Sequence, residues 1–154
     1  MKRILRLITA LTLFMATIAC DVSKNTQQTD QVLLKGTWKL VSNTIIQGEE
    51  VKVHSLEDNE MIKMFNEDHF AFFNHSKGHI PDSVRFFTAG SGPYTLKGNT
   101  YEEKLDYCSA KSWEGLSFTF QMEVKGDTLI QSGEEVVEEE GINRKIIEKY
   151  VRVH

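Results

Sequence analysis

Two glycine-containing dipeptides, each flanked by alternating hydrophobic residues, restrict this chain more than any other feature. In YTLKGNTYEEKLDYC, Gly98-Asn99 separates Tyr94 and Leu96 from Tyr101, Glu103, Leu105 and Tyr107. In FTFQMEVKGDTLIQSG, Gly126-Asp127 separates Phe118, Phe120, Met122 and Val124 from Leu129. Glycine beside Asn or Asp supplies the positive φ values that tight hairpin turns demand. Period-two alternation on either side gives each arm one hydrophobic face. Both stretches are therefore expected to be antiparallel hairpins.

The rest of the sequence continues the pattern. Residues 34–46 predict a first strand, with Trp38, Leu40 and Ser42 on one face and Lys39, Val41 and Asn43 on the other. Residues 61–65 and 69–74 flank the polar Asn66-Glu67-Asp68 and predict a further hairpin. Residues 84–89 (VRFFTA) and 144–153 (RKIIEKYVRV) are strand candidates, the latter preceded by a glutamate-rich loop from Glu134 to Glu140. A long connection is expected over 75–92, containing Pro81, Gly90 and Gly92 and followed by Pro93. The one helix candidate is a turn at Ser55-Leu56-Glu57-Asp58, with Ser55 as its cap. Many short strands joined as consecutive hairpins predict an all-β fold, an up-and-down antiparallel β-barrel of about eight to ten strands. Closure removes the exposed sheet edges that invite aggregation.

A length of 154 residues suits one such domain. Eighteen basic against 22 acidic residues give a net charge of −4, which argues against non-specific nucleic-acid binding.

The first twenty residues, MKRILRLITALTLFMATIAC, have a different character. Lys2, Arg3 and Arg6 precede an apolar run from Leu7 to Ala19, too short for a membrane span of roughly 20 residues. The pattern resembles a bacterial lipoprotein signal peptide, with Thr17-Ile18-Ala19-Cys20 as its lipobox. The resemblance implies cleavage before Cys20 and acylation of that cysteine, palmitate being among the chains carried. The expected organisation is a signal peptide over 1–19, the lipidated Cys20 with a flexible polar tether over 20–32, and a barrel domain over 33–154. Losing the leader removes three basic residues and no acidic one, taking the balance from −4 to −7. Electrostatic attachment to anionic headgroups is then disfavoured, and the acyl chains must provide the membrane contact. With Cys20 acylated, Cys108 has no partner within the chain and reads as a small buried hydrophobe.

Gly36-Thr37-Trp38 at the start of the first strand and Arg152 in the last strand, KYVRV, carry a second likeness. The segments MIKMFNEDHFAFFN and YTLKGNTYEEKLDYC extend it. Over residues 34–153 the chain resembles the lipocalin and fatty-acid-binding (calycin) superfamily, and within it lipocalin-like bacterial lipoproteins. This resemblance implies that Trp38 packs across the closed end of the barrel beside Arg152. Cation–π attraction and hydrogen bonds to strand-end carbonyls are the physical reason for such a pair. It also implies a second role, with Tyr150 and Arg152 on one face of the last strand gripping a ligand carboxylate. The end-cap is the preferred role for Arg152, because one buried arginine cannot readily do both.

Inward aromatic residues mark the candidate ligand cavity: Phe70, Phe72, Phe118, Phe120 and Met122, with Tyr150. A barrel of this size either fills its interior with such side chains or leaves one small cavity among them. Trp113 is expected either to close a barrel mouth or to form an exposed contact. His75 and His79 read as loop residues, with no ligand set around them, so no metal and no cofactor is expected. No nucleophile elbow, zinc-protease motif or phosphate-cradling loop is present, and no enzymatic activity is expected.

Two functions follow as expectations. The first is a lipoprotein anchored at the bacterial cell envelope that binds a small apolar or amphipathic ligand. The alternative is an interaction or inhibitor module with a filled barrel, acting on a protein partner through its loops. Neither involves nucleic acid.

Overall fold

The computed structural model describes residues 33–154. The expected signal peptide, the lipobox cysteine Cys20 and the tether lie outside the described residues. Ten strands follow in order: β1 (Gly36–Gln47), β2 (Glu50–His54), β3 (Asn59–Phe65), β4 (His69–Ser76), β5 (Phe87–Lys97), β6 (Thr100–Lys104), β7 (Tyr107–Cys108), β8 (Ser117–Lys125), β9 (Thr128–Val137) and β10 (Ile142–Val153). Eight of them close an antiparallel barrel, and β2 and β7 are additions to it. Each barrel strand pairs with its neighbour, and β10 returns to β1 from Thr37↔Val153 to Ile46↔Lys145, so no long edge is left open. Among the described residues, the pairing of β1 with β10 closes the barrel around one hydrophobic core cluster.

Both glycine-led hairpins form, with Gly98 and Gly126 each at φ +57°. Among the described residues no non-glycine has positive φ, so only the first position of each turn needs it, as in a II′ turn. The 66–68 hairpin also forms, and Asn66 Oδ1 accepts hydrogen bonds from the amides of Asp68 (2.9 Å) and His69 (2.7 Å). These three turns gather at one end of the barrel, with the start of β1 and the end of β10.

Four expectations are corrected. The alternation in β1 breaks at a bulge between Leu40 and Ser42, so the inward residue after Leu40 is Asn43 and not Ser42. The proposed strand over 84–89 does not exist as such. One strand, β5, runs from Phe87 through Gly90, Gly92 and Pro93 to Lys97, and the true connection is only 77–86. A Cβ on Gly92 would lie 1.9 Å from the Lys104 carbonyl, so the barrel wall closes on itself where the sequence reads as loop. The expected glutamate-rich loop is mostly strand: Glu134–Val137 end β9, and only Glu138–Glu140 form a 3-10 turn. Residues 55–58 hold no helix, and Ser55 Oγ instead accepts from the Glu57 amide at 3.3 Å.

The closed half of the barrel is filled. Trp38, Leu129, Tyr101, Tyr150, Phe70 and Phe120 are essentially inaccessible there. Tyr101 meets Phe65 edge-on at 5.9 Å and stacks on Phe120 at 6.5 Å, favourable offsets for aromatic pairs.

Candidate functional site

The two ends of the barrel differ in construction. At the closed end Trp38 is fully buried and donates its indole N–H to the Leu34 carbonyl at 2.8 Å. The Arg152 guanidinium lies 4.1 Å from the centre of the Trp38 ring. Its two Nη atoms donate to the carbonyls of Lys35 and Leu33, each at 2.6 Å, and its Nε faces Asp127 at 3.6 Å. These contacts hold Arg152 at this end, and the residue does not line the cavity described next. Arg152 thus stands beside Trp38, where the preferred end-cap role puts it, and away from the cavity.

Towards the opposite end the interior opens into a cavity of about 340 Å³. Phe72 on β4 and Phe118 on β8 line it, together with Met61 and Leu105. Trp113, in the short 3-10 turn Lys111–Trp113, packs on Phe118 at 5.6 Å and forms part of the same lining. Four of the candidate cavity residues are elsewhere: Phe70, Phe120, Met122 and Tyr150 belong to the packed core beneath it. The hydrophobic pattern assigns these residues to the interior but does not say at what height along the barrel packing ends.

The floor of the cavity is polar, which the aromatic reading missed. Lys63 is 2 % exposed and donates to Glu103 Oε2 at 2.6 Å and to Gln131 Oε1 at 2.9 Å. Its ammonium also lies 5.0 Å from the Phe70 ring centre and 5.1 Å from that of Tyr101. The Tyr101 hydroxyl donates to the same Glu103 oxygen at 2.7 Å. Higher in the wall, Arg144 Nε and Nη2 both reach Glu135 Oε2 at 2.7 Å. Glu148 is buried, lines the cavity and accepts from the Tyr150 hydroxyl at 2.6 Å.

The electrostatics follow from burial. Loss of water pushes the Glu148 carboxyl up to about 7, against which the Tyr150 hydrogen bond and Lys63 act only in part. Glu135 is likewise raised by burial, with Arg144 opposing. The Tyr101 and Tyr150 hydroxyls are pushed up by burial and by the adjacent carboxylates, so both remain hydrogen-bond donors.

Alternation was the available signal for these polar residues. Glu103 falls in phase with Tyr101 and Leu105, Lys63 with Met61 and Phe65, and Glu148 with Ile146 and Tyr150. Charged residues at inward positions mark a polar interior as clearly as aromatics mark an apolar one. Cys108, on β7, is half-buried and lines the cavity. His75 sits on β4 opposite Phe87, and His79 in the following connection. Among the described residues no group of three or more His, Cys, Asp or Glu is placed to hold a metal ion.

No family model matches this chain, and no curated protein matches it.

Proposed function

We propose that the chain is a lipid-anchored, lipocalin-like binding protein of the bacterial cell envelope, holding one small amphipathic molecule in the open half of its barrel. The observation that carries this reading is the cavity of about 340 Å³, walled by Phe72, Phe118 and Trp113 over a hydrogen-bonding floor. Ligand pockets typically have volumes of about 300–1,000 Å³ and combine apolar walls with a few fixed polar groups. The filled closed half limits the ligand to a small one, and the Trp38–Arg152 cap leaves the opposite end as the route of entry. The leader, with Cys20 at its lipobox, supports anchoring of the protein at a membrane.

The test is to produce the chain from Asp21 onward and incubate it with bacterial envelope extract. Repurification under native conditions and extraction for mass spectrometry then identify what it carries. A stoichiometric small molecule is expected. A ligand-free protein would instead favour action on a protein partner through the loops. For the anchor, the full chain should incorporate a palmitate analogue and sediment with membranes, and Cys20→Ala should do neither.

A further inference from the structure

The interior charges of the cavity do not balance. Three carboxylates, Glu103, Glu135 and Glu148, line it with two cations, Lys63 and Arg144. Both cations are committed: Lys63 pairs with Glu103 at 2.6 Å, and Arg144 with Glu135 at 2.7 Å. Glu148 has no cation of its own. Its Oε2 accepts from the Tyr150 hydroxyl, a neutral donor. Opposite it in register on β1 is Asn43, placed inward by the bulge, whose buried Oδ1 accepts no hydrogen bond among the described residues. On its other side β9 presents Gln131, whose Oε1 is already taken by Lys63. The groups facing Glu148 are thus Tyr150, Asn43, Gln131, Lys63, Glu103 and Glu135, and the cavity they share with Arg144 holds three carboxylates against two cations.

A buried polar group without a partner costs free energy, and a ligand that supplies the partner recovers it. An incoming carboxylate does the opposite, adding a fourth anion to a site whose cations are engaged. We propose that the cavity selects a primary amine with a small apolar body, its ammonium donating to Glu148 and Asn43 while the body packs among Phe72, Phe118 and Trp113. This rests on the ligand-binding reading above and names the head group which that reading leaves open. The raised proton affinity of Glu148 agrees with it, since an empty site neutralises this carboxylate with a proton that a bound ammonium displaces.

The experiment compares octylamine, octanol and octanoate by isothermal titration calorimetry on the chain from Asp21 onward, with Glu148→Gln alongside. At about pH 8 octylamine should bind at least about tenfold tighter than octanol, and octanoate more weakly than either, a gap of about 1.4 kcal/mol per decade. Below about pH 7 amine affinity should fall, and binding should release protons, read from titrations in buffers of different ionisation enthalpy. In Glu148→Gln, octylamine should bind no tighter than octanol does to the same variant. The pH series and proton release need only the wild-type chain, so they decide the matter even if the variant unfolds. Octanol or octanoate binding as tightly as octylamine would overturn the amine assignment and leave the carrier reading intact. Failure of all three to bind would overturn both.

Discussion

Lys63 and Glu103 meet inside the barrel at 2.6 Å, from strands that are not neighbours in the sheet, and both are almost completely buried. Removing a charge pair from water is costly, and here the cost is offset by a full set of partners: Gln131, the Tyr101 hydroxyl and three aromatic ring faces around the ammonium. The pair separates the packed closed half of the barrel from the cavity above it.

Removing only one partner of this pair should therefore be far worse than removing both. Lys63→Met alone leaves Glu103 as a buried, uncompensated acid and is expected to cost about 3–5 kcal/mol. Combined with Glu103→Gln, which still accepts from Tyr101, most of that loss should be recovered. Chemical denaturation of the single and double variants measures the coupling.

Glu148 predicts the sign of a pH effect on stability. In the folded protein its carboxyl holds a proton up to about 7, against an ordinary value of 4.5. Between these values the folded state binds the extra proton, so this contribution is complete below about 4.5 and is lost as pH rises through about 7. Glu148→Gln removes the dependence. The variant should gain on wild type by up to about 3 kcal/mol between about pH 5 and about pH 8, read from denaturation midpoints.

At the closed end, Trp38→Ala should cost about 3–5 kcal/mol, because it opens a large void and strips Arg152 of its stacking surface. Octanol affinity of the fraction that remains folded should change little, since the cap and the cavity occupy opposite ends. Denaturation and calorimetry on the same sample separate the two effects.

Gly92→Ala tests the tightest point of the wall. The added methyl would meet the Lys104 backbone carbonyl at 1.9 Å, so one of the two strands must shift. A loss of about 3 kcal/mol or more is expected, at the upper end of ordinary overpacking. Gly98→Ala at the β5–β6 turn meets nothing within 4 Å and should show only the strain of its positive φ.

How far the sequence could be read depended on whether local chemistry or distant packing set each feature. Gly98-Asn99 and Gly126-Asp127 announce their hairpins because a turn residue's φ is a local property. The barrel follows from the count of such strands. Gly90 and Gly92 have the composition of a loop, but their purpose is non-local: Gly90 leaves room for the Phe72 and Leu105 side chains, and Gly92 lets β5 pass close against the chain at Lys104. The same holds for Asn43, which only the β1 bulge turns inward, and for Glu135, whose partner Arg144 lies across the β9–β10 pair. Alternation tells which faces point inward but carries no information about height along the barrel. Phe72 and Phe118 line the void, whereas Phe70, Phe120, Met122 and Tyr150 fill the barrel below it.

The most direct test of the central claim, that the open half of the barrel is a ligand site, is methyl NMR during a titration with octylamine. Met61 and Leu105 line the cavity, whereas Leu34 and Leu129 are buried in the core outside it. The account predicts saturable shifts for the methyl groups of Met61 and Leu105, with those of Leu34 and Leu129 nearly unmoved. Their loss in Asn74→Trp, which fills the cavity, should accompany this. Shifts spread over outward-facing methyls such as Val51 and Val53, or none at any ligand concentration, would contradict it.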